Sequence, residues 1–273
     1  MTGIEPAGEK EVLAILHHDE PGQPVTETAA VMARLAGGEV RQLRLGAGLT
    51  PPQQARQVMQ ALGRPSTLSG VLASSELARP LWQHIAQQSA KPVVLVPPGP
   101  HDRPPVARRV LLPLDGTAQS AAAVAEAAGQ LARGGIEIVV LHVFDPATVP
   151  RFWDQHAHAG HAWAQEFLAR YCALPGARLE LRSGAPAGHV VQVAREQRAD
   201  MIVLAWSRRL QPGHALVVRR AVLAADIPVI LVPVPATSPA GITNQDEHTG
   251  SAPTASPESP SPRSARETGL VTN

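Results

Sequence analysis

A hexapeptide of alternating constraint occurs twice in this 273-residue chain, and each copy closes a run of strand-like and helix-like segments. Pro92-Val93-Val94-Leu95-Val96-Pro97 returns as Pro228-Val229-Ile230-Leu231-Val232-Pro233. Three further matches precede it in the same order. Val71-Leu72-Ala73-Ser74-Ser75 answers to Val203-Leu204-Ala205-Trp206-Ser207. Ala33-Arg34-Leu35-Ala36-Gly37-Gly38-Glu39-Val40 answers to Gln130-Leu131-Ala132-Arg133-Gly134-Gly135-Ile136-Glu137, and the run Val12–Leu16 to Val110–Leu114. Ordered self-similarity of this kind means one supersecondary pattern built twice. The first copy is shorter. After Val40–Leu45 it passes almost directly into a helical segment, Pro52–Leu62, so it lacks a third strand and the helix before it.

The fuller copy shows what the pattern is. Val110–Leu114 is a short apolar run bounded by Asp115-Gly116-Thr117. Apolar residues then recur at Ala121, Val124, Ala125, Ala128, Leu131 and Ala132, the spacing of a helix with one buried stripe. Gly134-Gly135 supplies its C-cap. Ile136–Val143 is apolar almost throughout, as expected of a strand covered on both faces. Helical stretches fall within 151–172. Strands are predicted at 177–181, 201–205 and 228–232, with helices carrying Val190, Val193 and Ala194 and spanning 215–225. Strands alternating with helices imply right-handed crossovers and an open parallel sheet. Such sheets bind ligands beyond the carboxyl ends of their strands, where the strand order reverses.

The dense proline run from Pro97 to Pro105 blocks both helix and central strand, and reads as a semi-rigid linker. Residues 236–273 are Ser, Thr, Pro and small polar groups, too poor in large aliphatics to offset their ordering entropy, and read as a disordered tail. The domains expected are therefore 8–97 (abbreviated), a linker at 98–107, 108–235 (fuller) and the tail. A formal net charge of +1 gives no electrostatic footprint for nucleic acid or an anionic membrane. Aromatics at 3% leave few stacking platforms for bases. A single cysteine, Cys172, allows neither an intrachain disulfide nor a multi-cysteine metal site. The first ten residues do not read as a signal peptide, and no apolar run is long enough to span a bilayer. The expected location is the cytoplasm.

The second copy resembles the universal stress protein family across most of 108–234. The carrying segments are Val110-Leu111-Leu112-Pro113-Leu114-Asp115-Gly116-Thr117, Val140-Leu141-His142-Val143, Ser183-Gly184-Ala185-Pro186, Ala199-Asp200-Met201-Ile202-Val203 and Ile227–Pro233. The first copy resembles a divergent member through the repeat, so the whole resembles a tandem member. The resemblance implies a Rossmann-like, adenine-nucleotide alpha-hydrolase-like α/β fold: two open parallel sheets, of order 3-2-1-4-5 in the second, packed as a pseudo-dimer with the last strands adjacent. Many members bind ATP. Carried over, Pro113, Asp115 with the backbone at Gly116, and Val143 match the positions that hold adenine and ribose. The family's phosphate loop, G-x-x-G, nine residues, then G-[ST], is broken here. Ala205 and Arg208 stand at the first two glycines, no Gly-Ser or Gly-Thr occurs near 215–218, and the neighbouring glycine is Gly213. The glycines are needed so that backbone N–H groups can close around phosphate at a helix N-terminus. In the first copy the loop is Ala73-Ser74-Ser75-Glu76-Leu77, with a carboxylate in place of the cradle, and the first strand ends in His17-His18-Asp19, keeping an acidic residue near the adenine position.

Several residues carry two readings. Asp115 either contacts a ligand or caps the helix beginning near Thr117. The 205–220 loop is either a working triphosphate site, with Arg208, Arg209, Arg219 and Arg220 attracting the anion as point charges, or a degenerate loop with a structural or interface role. His156, His158 and His161 beside Asp154 form a cluster suited to a transition metal, at a spacing that matches no zinc signature, and His17-His18 reads as a strand end rather than a ligand pair. There is no G-x-S-x-G elbow. The expected protein is thus a non-catalytic stress-response regulator or scaffold that has lost ATP binding, with no metal and no cofactor. It would pair its own domains or a second chain and engage a regulatory protein, but no nucleic acid and no membrane. The alternative is an ATP-binding sensor using the second domain.

Overall fold

The computed structural model describes residues 9–99, 107–144, 157–209 and 215–235. The linker at 100–106, the tail and His156 lie outside these, as do 210–214 with Gly213. The elements alternate as the repeat demands: β1 (Glu11–Leu16), α1 (Gln23–Ala36), β2 (Glu39–Arg44), α2 (Pro51–Leu62), β3 (Thr67–Ala73), α3 (Arg79–Gln88) and β4 (Val93–Val96) in the first half. The second half supplies β5 (Arg109–Pro113), α4 (Ala118–Arg133), β6 (Glu137–Phe144), α5 (Ala157–Tyr171), β7 (Arg178–Ser183), α6 (Pro186–Glu196), β8 (Met201–Trp206), α7 (Leu216–Ala224) and β9 (Val229–Pro233).

The described strands form one sheet in the order β2-β1-β3-β4-β9-β8-β5-β6-β7. Read from β7 to β9, the second half has the order 3-2-1-4-5 that the resemblance implied. The first half has the same order without its third strand. Every pairing is parallel except that of β4 with β9, which run antiparallel with Val94 opposite Ile230. The two sheets therefore share one continuous ladder. The composition of the strands explains the join. All four residues of β4 are buried, as are the first four of β9. Left as an edge, either would offer an apolar row of unpaired N–H and C=O groups. The true edges are protected instead by charge: β2 reads EVRQLR and β7 reads RLELRS. Arg41 pairs with Glu11 at 2.7 Å, and Arg182 with Glu180 and Glu196 at 3.0 and 2.9 Å.

Side chains alternate between two cores, one on each face. Leu13, Leu95, Leu111, Ile202 and Leu231 pack under α2, α3, α6 and α7. Val12, Val94, Val110, Val203 and Ile230 pack under α1, α4 and α5. One side chain crosses the join. Trp206, at the end of β8, is 2% exposed and donates from Nε1 to the Ala86 carbonyl of α3 at 2.6 Å. That carbonyl lies in the last turn of its helix, where no intrahelical donor remains.

Two details of the repeat change. The sequence match aligned Gly37 with Gly134, but the left-handed partner of Gly37 (φ 63°) is Gly135 (φ 79°). Glu39 and Glu137 are the equivalent strand starts, since their N–H groups donate to Lys10 and Arg108 at 2.9 Å each. The linking turn after α4 is one residue longer. Strand β3 also begins earlier than the run at Val71. Thr67 and Ser69, ahead of that run, are both buried, and Thr67 Oγ1 donates to Glu11 Oε1 at 2.5 Å.

Candidate functional site

The order of the second half reverses between β5 and β8, and a ligand on such a sheet sits beyond the carboxyl ends of those strands. Pro113 ends β5 half-buried on the α6–α7 face. Val143 lies on β6, two residues past the partner of Pro113, and packs against the same core. The structure thus brings Pro113, Asp115, Gly116 and Val143 to one end of the sheet.

What Asp115 does there is local. Its Oδ1 accepts from the Thr117 N–H at 2.9 Å and from Thr117 Oγ1 at 2.8 Å. Its Oδ2 accepts from Ser120 Oγ at 3.0 Å. Thr117 is the N-cap of α4 and accepts in turn from the Ser120 N–H. Asp115 therefore braces the cap from two residues upstream. A negative group is also favoured near the positive end of the helix dipole. Gly116 lies at φ +80°, and a Cβ there would stand 3.4 Å from His142 Cε1 and 3.6 Å from Phe167 Cε2. His142 Nδ1 lies 2.9 Å from the Leu114 carbonyl and its ring sits against Phe144, Trp163 and Phe167. Sequence reading passed over His142. The available signal was its place in a strand that is otherwise apolar from Ile138 onward.

Of the 205–220 segment, residues 205–209 and 215–220 are described. Arg208 adopts φ +61°, a conformation that favours glycine. Ala215, near the third glycine position, is 1% exposed and packs into the core as the N-cap residue of α7, with no side-chain cap bond. Arg219 and Arg220 are exposed on α7. In the first half the corresponding loop is closed on itself. Ser74 Oγ donates to the Val96 carbonyl at 3.1 Å, Ser75 Oγ bonds Glu20 and accepts from the Ala78 N–H, and Glu76 pairs with Arg79.

In the first half the acidic residue stands two positions past the equivalent of Asp115. Glu11 and Arg109 open equivalent strands, so His17, not Asp19, takes the place of Asp115. Of the other histidine cluster, His161 is exposed with Nε2 3.1 Å from Gln165 Nε2. Two carboxyl groups with displaced pKa values, Glu137 and Glu11, lie elsewhere. Glu137 sits at the start of β6, where hydrogen bonds from Arg109 and Arg178 hold its carboxyl below the usual range. Glu11, at the start of β1, is pushed up by desolvation but brought down further by Thr67 and Arg41. Both are at the amino ends of the strands, opposite the end where ligands bind, and their shifts are those of structural ion pairs.

Residues 107–233 match the model of the universal stress protein family. No curated protein matches the chain significantly. Among solved structures, a universal stress protein from Archaeoglobus fulgidus aligns over 85% of this chain and 88% of its own, at 13% identity and a TM-score of 0.53. A functionally unknown protein from Pseudomonas aeruginosa PAO1 aligns over 84% and 94%, at 12% identity and a TM-score of 0.56. These likenesses establish the fold over both halves. A universal stress protein crystallised with cAMP aligns over 47% of this chain and 98% of its own, at 20% identity and a TM-score of 0.38.

Proposed function

We propose that the chain, whose residues 107–233 match the universal stress protein family model, is a stress-response regulator or scaffold that works through protein contact, without catalysis and without ATP. The observation that carries this reading is the engagement of both Asp115 oxygens by Thr117 and Ser120. A ribose or adenine would have to share a carboxylate that already braces the start of α4. The lost glycines at 205 and 208 and the buried Ala215 point the same way, since each Cβ crowds the approach of backbone N–H groups to phosphate. We further read 8–97 and 108–235 as two unequal copies of one unit, the first serving as structural partner to the second. The β4–β9 ladder supports a pairing within the chain in place of one between chains. No described helix is long and apolar enough to cross a membrane, and the cytoplasm is the compartment we propose. The regulatory partner would be a protein.

One observation favours the alternative, an adenine-nucleotide sensor: Arg208, at a position where the family has glycine, adopts a left-handed backbone that favours glycine, and Pro113, Gly116 and Val143 stand at the same end of the sheet. Acid extraction of gently purified protein decides between them. Absence of stoichiometric adenine nucleotide, and an unmoved melting temperature in millimolar Mg-ATP, are the expected results. A ligand at ~100-fold excess over Kd would raise stability by roughly 2.7 kcal/mol, so a clear upward shift would replace the first reading with the second.

A further inference from the structure

The turn after β1 brings together three side chains able to ligate a metal. His17, His18 and Asp19 each offer a ligand atom, and these atoms lie within 4.8 Å of one another. His18 Nε2 is 2.9 Å from Asp19 Oδ2, and His17 Nδ1 is 4.0 Å from the same oxygen. Donors bound to one zinc ion at about 2.0–2.2 Å stand up to roughly 4 Å apart, so closing the set needs side-chain adjustments of about an ångström. The turn allows them: the side chains of His18 and Asp19 are 38% and 57% exposed.

The site is also supported from behind. Gln54, in the first turn of α2, is 6% exposed, and its amide lies 3.4 Å from His17 Nε2. A ligating histidine ordinarily has its other ring nitrogen held by a protein group, which fixes tautomer and ring orientation. The nearer Gln54 atom is its amide nitrogen; turning the near-isosteric amide over sets Oε1 to accept from His17 Nε2–H and leaves Nδ1 toward Asp19, whose N–H makes only a long 3.4 Å contact to it. The His17 and His18 rings are already side by side, with centroids 4.7 Å apart. A cavity of about 320 Å³ adjoins them, lined by Glu20, Gln23, Gln42 and Arg44 among others, with room for water to complete a coordination sphere. The position matters as well: it is the carboxyl end of the strand equivalent to β5, where the second half has Asp115.

We propose that His17, His18 and Asp19 bind one divalent transition-metal ion, with Gln54 positioning His17. Imidazole with one carboxylate suits zinc, copper or nickel in preference to magnesium or calcium. This is independent of the reading of the second half.

Zinc titration of tag-free full-length protein against a chromophoric chelator tests it, with cobalt absorption as the coordination readout. One ion per chain is expected, and His17→Asn or His18→Ala should each weaken binding at least tenfold. Gln54→Leu should weaken it about tenfold and alter the cobalt spectrum, whereas Gln54→Glu, which keeps an acceptor, should restore both. His18 is exposed, so His18→Ala decides the matter even if His17→Asn folds poorly. Absence of zinc binding, binding that survives His18→Ala, or binding lost through His158→Ala and His161→Ala instead would each overturn the proposal.

Discussion

Arg208→Gly should stabilise the protein, although it removes a charged side chain and adds freedom to the unfolded chain. Arg208 sits at φ +61°. Holding an L residue in the left-handed region costs roughly 1–2 kcal/mol, through contact of Cβ with the following carbonyl. Glycine escapes that contact but surrenders about 0.4–1 kcal/mol in unfolded-state entropy. The net expectation is a gain of about 0.5–1 kcal/mol. For a structured region of this size it corresponds to a melting temperature higher by roughly 1–4 °C. Arg208→Ala is the necessary reference, because it removes the guanidinium and keeps the Cβ. Urea denaturation of both variants, with an unchanged m-value, isolates the backbone contribution. An Arg208→Gly protein no more stable than Arg208→Ala would refute the reasoning, since it would mean that the left-handed backbone carries no strain to release.

Three other outcomes are expected. Trp206→Phe removes the donor to the Ala86 carbonyl across the β4–β9 join, and should cost about 2 kcal/mol in urea denaturation, the range for leaving a buried polar group unpartnered. Asp115→Ala should cost about 1 kcal/mol, as loss of a helix-capping group does, while leaving the response to Mg-ATP unchanged in the same melting assay. Glu11 and Glu137 have carboxyl pKa values lowered on folding, by hydrogen bonds and neighbouring arginines. Their contribution is therefore present above the unfolded carboxylate range near pH 4.3, and is lost as pH falls through the folded values. Urea midpoints should be level between about pH 7 and pH 5 and drop below that, and Glu137→Gln should flatten part of the drop.

Most of the architecture was readable along the chain. Apolar runs at Val110–Leu114 and Val229–Val232 and the helical stripe from Ala121 to Ala132 are local patterns, and each became the element expected. The missing strand of the first half was legible because its absence shortens the repeat. Boundaries were less so. The repeat match began at Val71, and the earlier start of β3 at Thr67 rests on Glu11, 56 positions away, which accepts from its hydroxyl. The glycine pair of each half was legible as a cap, but not which glycine turns left-handed.

The sequence by itself determined the class of fold and the order of strands and helices along the chain, because periodicity and residue identity are properties of neighbours along a chain. Only the tertiary structure decided that β4 and β9 join in one sheet and that both Asp115 oxygens accept from the start of its own helix. Those outcomes depend on which strand edges meet, on strand register, and on which donors come within about 3 Å of an acceptor.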